Sequence, residues 1–528
     1  MEQALSGMAR RGSRCPHRAL AALVLWLSLA ALACGGLAPH ALAQGAPASA
    51  PSAADELFRE GLAAEGSADI AEAVRLWREA GTAGDVRAML RLGETYQKGA
   101  KGIPQDYAEA MQWYRKAADQ GNADAQGHIG VLYQQGSGVT QDYAQAMQWY
   151  RRAADQGNAR AQYNLGWLYG NGKGVPQDYA QAMLWYRKAA DQGHPSAQSN
   201  IGSFYARGLG VTQDYAQAMQ WYRKAADQGH ASAQSNIGYH YESGEGVAQD
   251  YAQAMQWYKK AADQGYAVAQ LNVGKLYENG QGVARDYAQA MQWYRKAADQ
   301  GIALAQYNVG FLYAHGQGAA QDYGEAMQWY RKAADQGHAA AQTGVGMLYS
   351  GGQGVPQDYV QAMQWYRKAA DHGYAVAQYN VGWLYENGKG VPQDYAEAMR
   401  WYRKAADQGD ASAQTNIGAL YSHGQGVAQD YAEAMQWYQK AADQGDAIAQ
   451  FNIGSYYQNG KGVPQDSAQA MQWYRKAADQ GHAVAQLAVG WHYEHGNGVA
   501  QDDAEAKRWF QKAADQGNEI AKQWLAVH

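Results

Sequence analysis

Residue types suited to metal binding crowd together at His492, Glu494 and His495. Three groups within four positions make a poor tetrahedral cage, and other copies of the same segment carry Tyr or Leu where His492 stands. The strings Gly172-Lys173-Gly174, Gly388-Lys389-Gly390 and Gly460-Lys461-Gly462 look superficially like phosphate loops. They lack the spacing and the Ser or Thr of a true P-loop, and read instead as turns that end helices. A repeated Asp-Gln-Gly, with Asp119, Asp155 and Asp191 among its copies, reads as solvated helix ends rather than as an acidic array. No Ser-x-x-Lys and no Gly-x-Ser-x-Gly occurs, and Cys15 and Cys34 are the only cysteines. The chemistry expected is therefore non-catalytic, with no metal and no cofactor.

Aromatic residues are the alternative carriers of function, and they are abundant, with 40 Tyr and 18 Trp against 5 Phe in 528 residues. Trp recurs at 77, 113, 149, 185, 221, 257, 293, 329, 365, 401, 437, 473 and 509, a constant spacing of 36. A fixed period in this range marks a repeat array, in which each unit buries its apolar face against its neighbours. Residues 85–516 hold twelve full units, preceded by a degenerate half unit at 55–84 that serves as a cap and followed by a second cap at 517–528.

Within the unit from Gly157 to Gln192, Ala161, Leu165, Leu168 and Tyr169 fall at helical spacing and predict a first helix, A. Gly172 and Gly174 end it, since glycine takes the left-handed conformation of helix C-termini. Asp178 is placed to cap a second helix, B, whose buried stripe is Ala182, Met183, Tyr186, Ala189 and Ala190, and Gly193 stops it. The expected fold class is all-α: a solenoid of about twelve 36-residue helix-turn-helix repeats.

Residues 1–43 read as an address. Arg10, Arg11, Arg14 and Arg18 precede an apolar run from Ala19 to Ala33, and Ala41-Leu42-Ala43 forms a small-residue cleavage site before Gln44. As a helix the run would span about 22 Å, short of the roughly 30 Å of membrane hydrocarbon, so no transmembrane segment is expected in the mature chain. Cleavage after Ala43 is expected, with a periplasmic or secreted location. Lipidation at Cys34 is the lesser alternative, because Ala31 stands where a lipobox would carry Leu. Residues 44–54, rich in Ala, Pro and Ser, read as a flexible linker. The net charge of -5 and the acidic neighbours of each Arg-Lys pair exclude a nucleic-acid partner.

The string Gln-Tyr-Asn-Leu-Gly-Trp-Leu-Tyr, followed by Gly-Lys-Gly-Val-Pro-Gln-Asp-Tyr-Ala-Gln-Ala and Trp-Tyr-Arg-Lys-Ala-Ala-Asp-Gln-Gly within 162–193, closely resembles the Sel1-like repeat, a relative of the tetratricopeptide repeat. The resemblance covers 85–516 and implies a right-handed superhelix with helix A on the concave side, and an adaptor role in signalling, envelope assembly or host interaction. Cysteine-rich secreted relatives staple each helix pair with a disulfide; a chain cut after Ala43 has no cysteine to do so.

Comparison of the copies separates fixed from drifting columns. The Trp113 and Tyr114 columns are nearly fixed and read as core, whereas the columns of Tyr163 and Trp167, four residues apart on helix A, vary. The candidate partner-binding aromatics are Tyr163, Trp167, Tyr239, Tyr307, Phe311, Tyr379, Trp383, Phe451 and Trp491, either anchoring a partner or packing between neighbouring helices A. A second candidate is the column Asn164, Asn200, Asn236, Asn272, Asn308, Asn380, Asn416 and Asn452, interrupted at Gly344 and Ala488. By resemblance it grips the backbone of an extended peptide; the alternative is bonding to adjacent loop backbone. The expected function is a protein-interaction scaffold of the bacterial envelope or exterior. Two alternatives stand beside it: binding or hydrolysis of β-lactams, as attached to cysteine-rich relatives, and binding of envelope polysaccharide through stacked Trp and Tyr.

Overall fold

The computed structural model describes residues 52–528. The leader, its cleavage site, Cys34 and most of the linker lie outside them. Among the described residues there are 27 helices and no strand, each helix packed on the one before and the one after it in the chain, which makes an all-α solenoid.

Each unit folds as its caps dictate. In the unit read above, helix A spans Ala159–Asn171, opened by Asn158 and closed by Gly172 in the left-handed region. Helix B spans Tyr179–Asp191, and the Asp178 carboxylate accepts from the Gln181 amide at 2.9 Å. Ala161, Leu165 and Leu168 are buried, as are Ala182, Met183, Tyr186, Ala189 and Ala190. The structure corrects the sequence at the N-terminus: Ala53–Gly66 and Ile70–Thr82 form a complete helix pair where a half unit and the end of a linker were expected.

The core is built across repeat boundaries. Helix B of one unit contributes Ala182, Met183, Tyr186 and Ala189; helix A of the next adds Ala197, Ile201 and Phe204; and Trp221 closes the cluster from beyond. The Tyr of helix B also lies flat against its own helix A, where a Cβ on Gly166 would come within 2.6 Å of the Tyr186 ring. That contact explains a fixed glycine inside a helix, since no larger residue lets the two helices approach. Gly174 is fixed for a second reason: at φ 72° its Cβ would lie 2.7 Å from the Tyr143 carbonyl carbon, so the loop seats on the preceding unit.

The Trp column is shallower than the sequence implied. Trp113 and Trp185 are buried, but Trp149, Trp221, Trp257, Trp365, Trp437 and Trp473 are half-buried. Each carries a cation three residues on as a lid, with the Lys188 ammonium 4.1 Å from the Trp185 ring centre and Lys368 4.0 Å from that of Trp365. The Arg before that Lys reaches the next helix A, as Arg187 donates to the Tyr205 hydroxyl at 2.7 Å. The repeated Arg-Lys pair is thus occupied within the fold.

A buried relay of glutamines ties the units together. Gln162 donates to the Ala154 carbonyl at 3.2 Å and accepts from Gln192 at 2.8 Å, and the pattern recurs along the array. The Gln of each Asp-Gln-Gly is therefore a structural donor. One link is broken: His372 replaces that Gln and bonds back to the Lys368 carbonyl, leaving Gln342 Oε1 buried without a partner. An orphaned buried acceptor costs about 1 to 3 kcal/mol, and a neutral hydrogen bond contributes about 1. His372→Gln is expected to stabilise this unit by about 1 kcal/mol. Amide exchange of helix Ala339–Gly351 should then slow roughly fivefold; unchanged protection would contradict the relay.

Candidate functional site

A helix A that packs on both neighbours leaves one stripe outward. In Ala375–Asn387 that stripe is Val376, Asn380, Trp383 and Asn387, spaced i, i+4, i+7 and i+11. Asn380 donates to the Val376 carbonyl at 2.8 Å and Asn387 to the Trp383 carbonyl at 2.9 Å, so both amides are held by their own helix. Elsewhere the Asn column turns toward the preceding helix B, as Asn416 donates to the Tyr402 hydroxyl at 2.9 Å. Asn164, Asn200, Asn236, Asn272, Asn308 and Asn452 are half-buried in the same column. Where partners are seen, they are the same helix or a buried Tyr, not loop backbone.

The two aromatic columns, read as one face, divide. Rings in the Tyr163 column fill the space between successive helices A: Tyr163 stacks on His194 at 4.8 Å, Tyr307 lies 5.0 Å from His338 and Phe451 5.1 Å from His482, each His being the cap of the next helix A. Tyr379 sits 5.6 Å from Tyr402. The Trp167 column faces outward: Tyr239 is 50% exposed, Met347 45% and Trp491 38%, while Trp167, Phe311 and Trp383 are half-buried. Histidines shelve two of these rings, with His315 4.0 Å from Phe311 and His495 5.3 Å from Trp491.

Sequence reasoning missed a column seven residues before the Trp167 column. Val268, Leu304, Val376, Ile448 and Val484 are exposed there on the same stripe, whereas the earlier units carry Asp124, Arg160, Ser196 and Ser232. The signal was the replacement of polar by apolar residues in this column from Val268 onward, interrupted at Ala340 and Ser412. Together the two columns lay apolar surface along the helices A of the later units with few charges among it, the composition of an interface centre.

The cluster at the C-terminal end disperses. His492 is buried and its Nδ1 lies 2.7 Å from the Asn497 carbonyl oxygen, Glu494 accepts from Trp524 Nε1 at 2.7 Å, and His495 is exposed. Burial pushes the His492 imidazole below its ordinary range, which keeps it neutral. Among the described residues no group of three or more His, Cys, Asp or Glu is placed to hold a metal ion, and no helix is long and apolar enough to cross a membrane.

The profile of the Sel1 repeat matches thirteen consecutive segments, from 53–85 to 483–518. This chain belongs to the Sel1 repeat family. Its first matched repeat is the helix pair at 53–82, which makes thirteen repeats where the sequence reading counted twelve and a half unit. Among solved structures, the repeats are similar to a protective antigen of uropathogenic Escherichia coli with an SLR fold, at 42% identity over 79% of this chain and 90% of that one, with a TM-score of 0.68. They are also similar to a Sel1 repeat protein from Oxalobacter formigenes, at 36% identity over 58% of this chain and 90% of that one, TM-score 0.49. The cysteine-rich protein B of Helicobacter pylori is 27% identical over 25% of this chain and 96% of that one, TM-score 0.22. No curated protein matches. Sel1 repeat proteins are in general protein-interaction scaffolds, and their solenoids are typically non-catalytic.

Proposed function

We propose that this Sel1 repeat protein is a scaffold of the bacterial envelope or exterior that holds a protein partner along the outward stripe of its helices A. The observation that carries the reading is the row of exposed apolar residues on that stripe, Tyr239, Met347 and Trp491 with Val268, Leu304, Val376, Ile448 and Val484 beside them. Soluble folds bury such surface unless a partner covers it. Export rests on the leader ending at Ala43, and the description of the E. coli relative as a protective antigen accords with it. An extended segment is the favoured partner, because the stripe crosses many short helices in succession.

Replacing Tyr239 with a photo-crosslinking benzoylphenylalanine is expected to capture a partner in the native envelope, whereas the same group at Leu184, equally exposed on a helix B, captures none. N-terminal sequencing of the captured chain is expected to begin at Gln44. Equal capture from both positions would overturn the helix A face, and a mature chain starting at a lipid-modified Cys34 would overturn the proposed soluble location.

A further inference from the structure

The hydroxyl of the buried helix B Tyr needs an acceptor, and the residue sixteen positions earlier on helix A supplies one in several repeats. Tyr258 donates to the Glu242 carboxylate at 2.6 Å, Tyr402 to that of Glu386 at 2.5 Å, Tyr294 to that of Glu278, and Tyr150 to the Gln134 amide oxygen at 2.6 Å. In three repeats the supplying residue has shrunk, to Gly170 before Tyr186, Ala206 before Tyr222 and Ala314 before Tyr330. A pocket opens at the first and the last of these, of about 350 Å³ at Gly170 and about 240 Å³ at Ala314, and both include the Tyr ring in their walls. The two are equivalent sites four repeats apart.

Each pocket opens beside the outward stripe. Trp167 and Arg207 line the first, and His315 and Met347 the second. Tyr330 is 5% exposed, and in the second pocket Ala314 offers its hydroxyl no side-chain acceptor. Burial raises that hydroxyl above its ordinary range, so it stays protonated and able to donate. In the first pocket the Asn200 amide reaches Tyr186, and the Arg207 guanidinium supplies positive charge at the wall.

We propose that these two pockets receive carboxylate side chains of an acidic partner segment, which restore in trans the acceptor that Glu242, Glu278 and Glu386 provide in cis. The protein's own filled repeats show that a glutamate fits this place and satisfies the Tyr hydroxyl. Adjacent helices lie about 8 to 10 Å apart, which puts the pockets about 40 Å from each other. An extended chain spans that distance with about twelve residues. The inference rests on the scaffold reading only for the source of the carboxylate.

The test uses a fluorescent peptide of twenty glutamates and, separately, free glutarate, on the full chain at physiological salt. Wild type is expected to bind the peptide, and the double variant Gly170→Glu, Ala314→Glu, which fills both pockets from within, to bind it at least tenfold more weakly. The new Cβ at Gly170 meets its nearest neighbour at 3.5 Å, an ordinary contact, and Ala314 already carries a Cβ on the wall of its pocket, so the helical melt should be unchanged or higher. Arg207→Ala should weaken the peptide several-fold. Undiminished binding to the filled variant overturns the proposal. Glutarate binding as tightly as the peptide overturns the partner segment and assigns the sites to a free dicarboxylate. The crosslinking contrast between Tyr239 and Leu184 fails or succeeds independently, so the two readings fall separately.

Discussion

Tyr366→Ala is expected to destabilise its region of the solenoid by about 3 to 5 kcal/mol, the cost of truncating a fully packed aromatic. Tyr366 is 3% exposed, and its ring lies so close on helix A that a Cβ at Gly346 would meet it at 2.5 Å. No neighbour can collapse into the space, because the ring separates two helices whose spacing is set along the entire array. Trp365, one residue earlier, should cost distinctly less, since it is half-buried and one face is covered by the Lys368 side chain rather than by core. Urea unfolding of the two variants, with amide exchange to locate the damage, measures the difference. A larger loss at Trp365 than at Tyr366 would contradict the assignment of depth.

The second large effect concerns register. Deleting residues 231–266 joins His230 to Ala267, and both ends keep their caps. Tyr222 keeps its groove at Gly202 and Tyr294 its groove at Gly274, and Ala269 and Val273 replace Ala233 and Ile237 against Tyr222. The shortened chain is expected to keep its helicity per residue and to melt within a few degrees of wild type. Deleting 231–248 removes a helix A alone. Helix Tyr215–Asp227 then runs directly to helix Tyr251–Asp263, two B faces meet, Tyr258 loses the groove at Gly238, and Tyr222 loses Ala233 and Ile237 from its cluster. Circular dichroism of that variant should show two separated transitions, with apolar surface exposed at the joint. Equal behaviour of the two deletions would contradict a core shared across repeat boundaries.

Sequence made the helices legible because their stops are chemical. Asp178 and Gly172 act through their own side chain or its absence, and such signals survive without knowledge of the neighbours. The Gln162 relay was not legible, since its partners Ala154 and Gln192 lie in two different units and a buried amide looks like any polar residue until both are seen. The first repeat was undercounted because its helices lack the Tyr and Asn markers of later copies, although Ala73, Trp77 and Ala80 keep the buried spacing. For the candidate site, periodicity placed Trp383 on the right helix, but it could not show that Tyr163, only four residues from Trp167, turns into the gap beside His194. The Val268 column was invisible to a search for aromatic residues, and only its exposure gives it meaning.

The outward stripe is tested most directly by Trp383→Ala, measured for both stability and affinity against the partner captured through Tyr239. Trp383 is half-buried, its backbone carbonyl is held by Asn387, and its ring lies at the edge of the cluster that contains Val381, Leu384 and Trp401. The account predicts a helical melt within a few degrees of wild type, together with a loss of about 2 kcal/mol or more in binding, the size of an interface hot spot. Destabilisation equal to that of Tyr366→Ala, with affinity per folded molecule unchanged, would show that the variable aromatics belong to the core and that the stripe holds no partner.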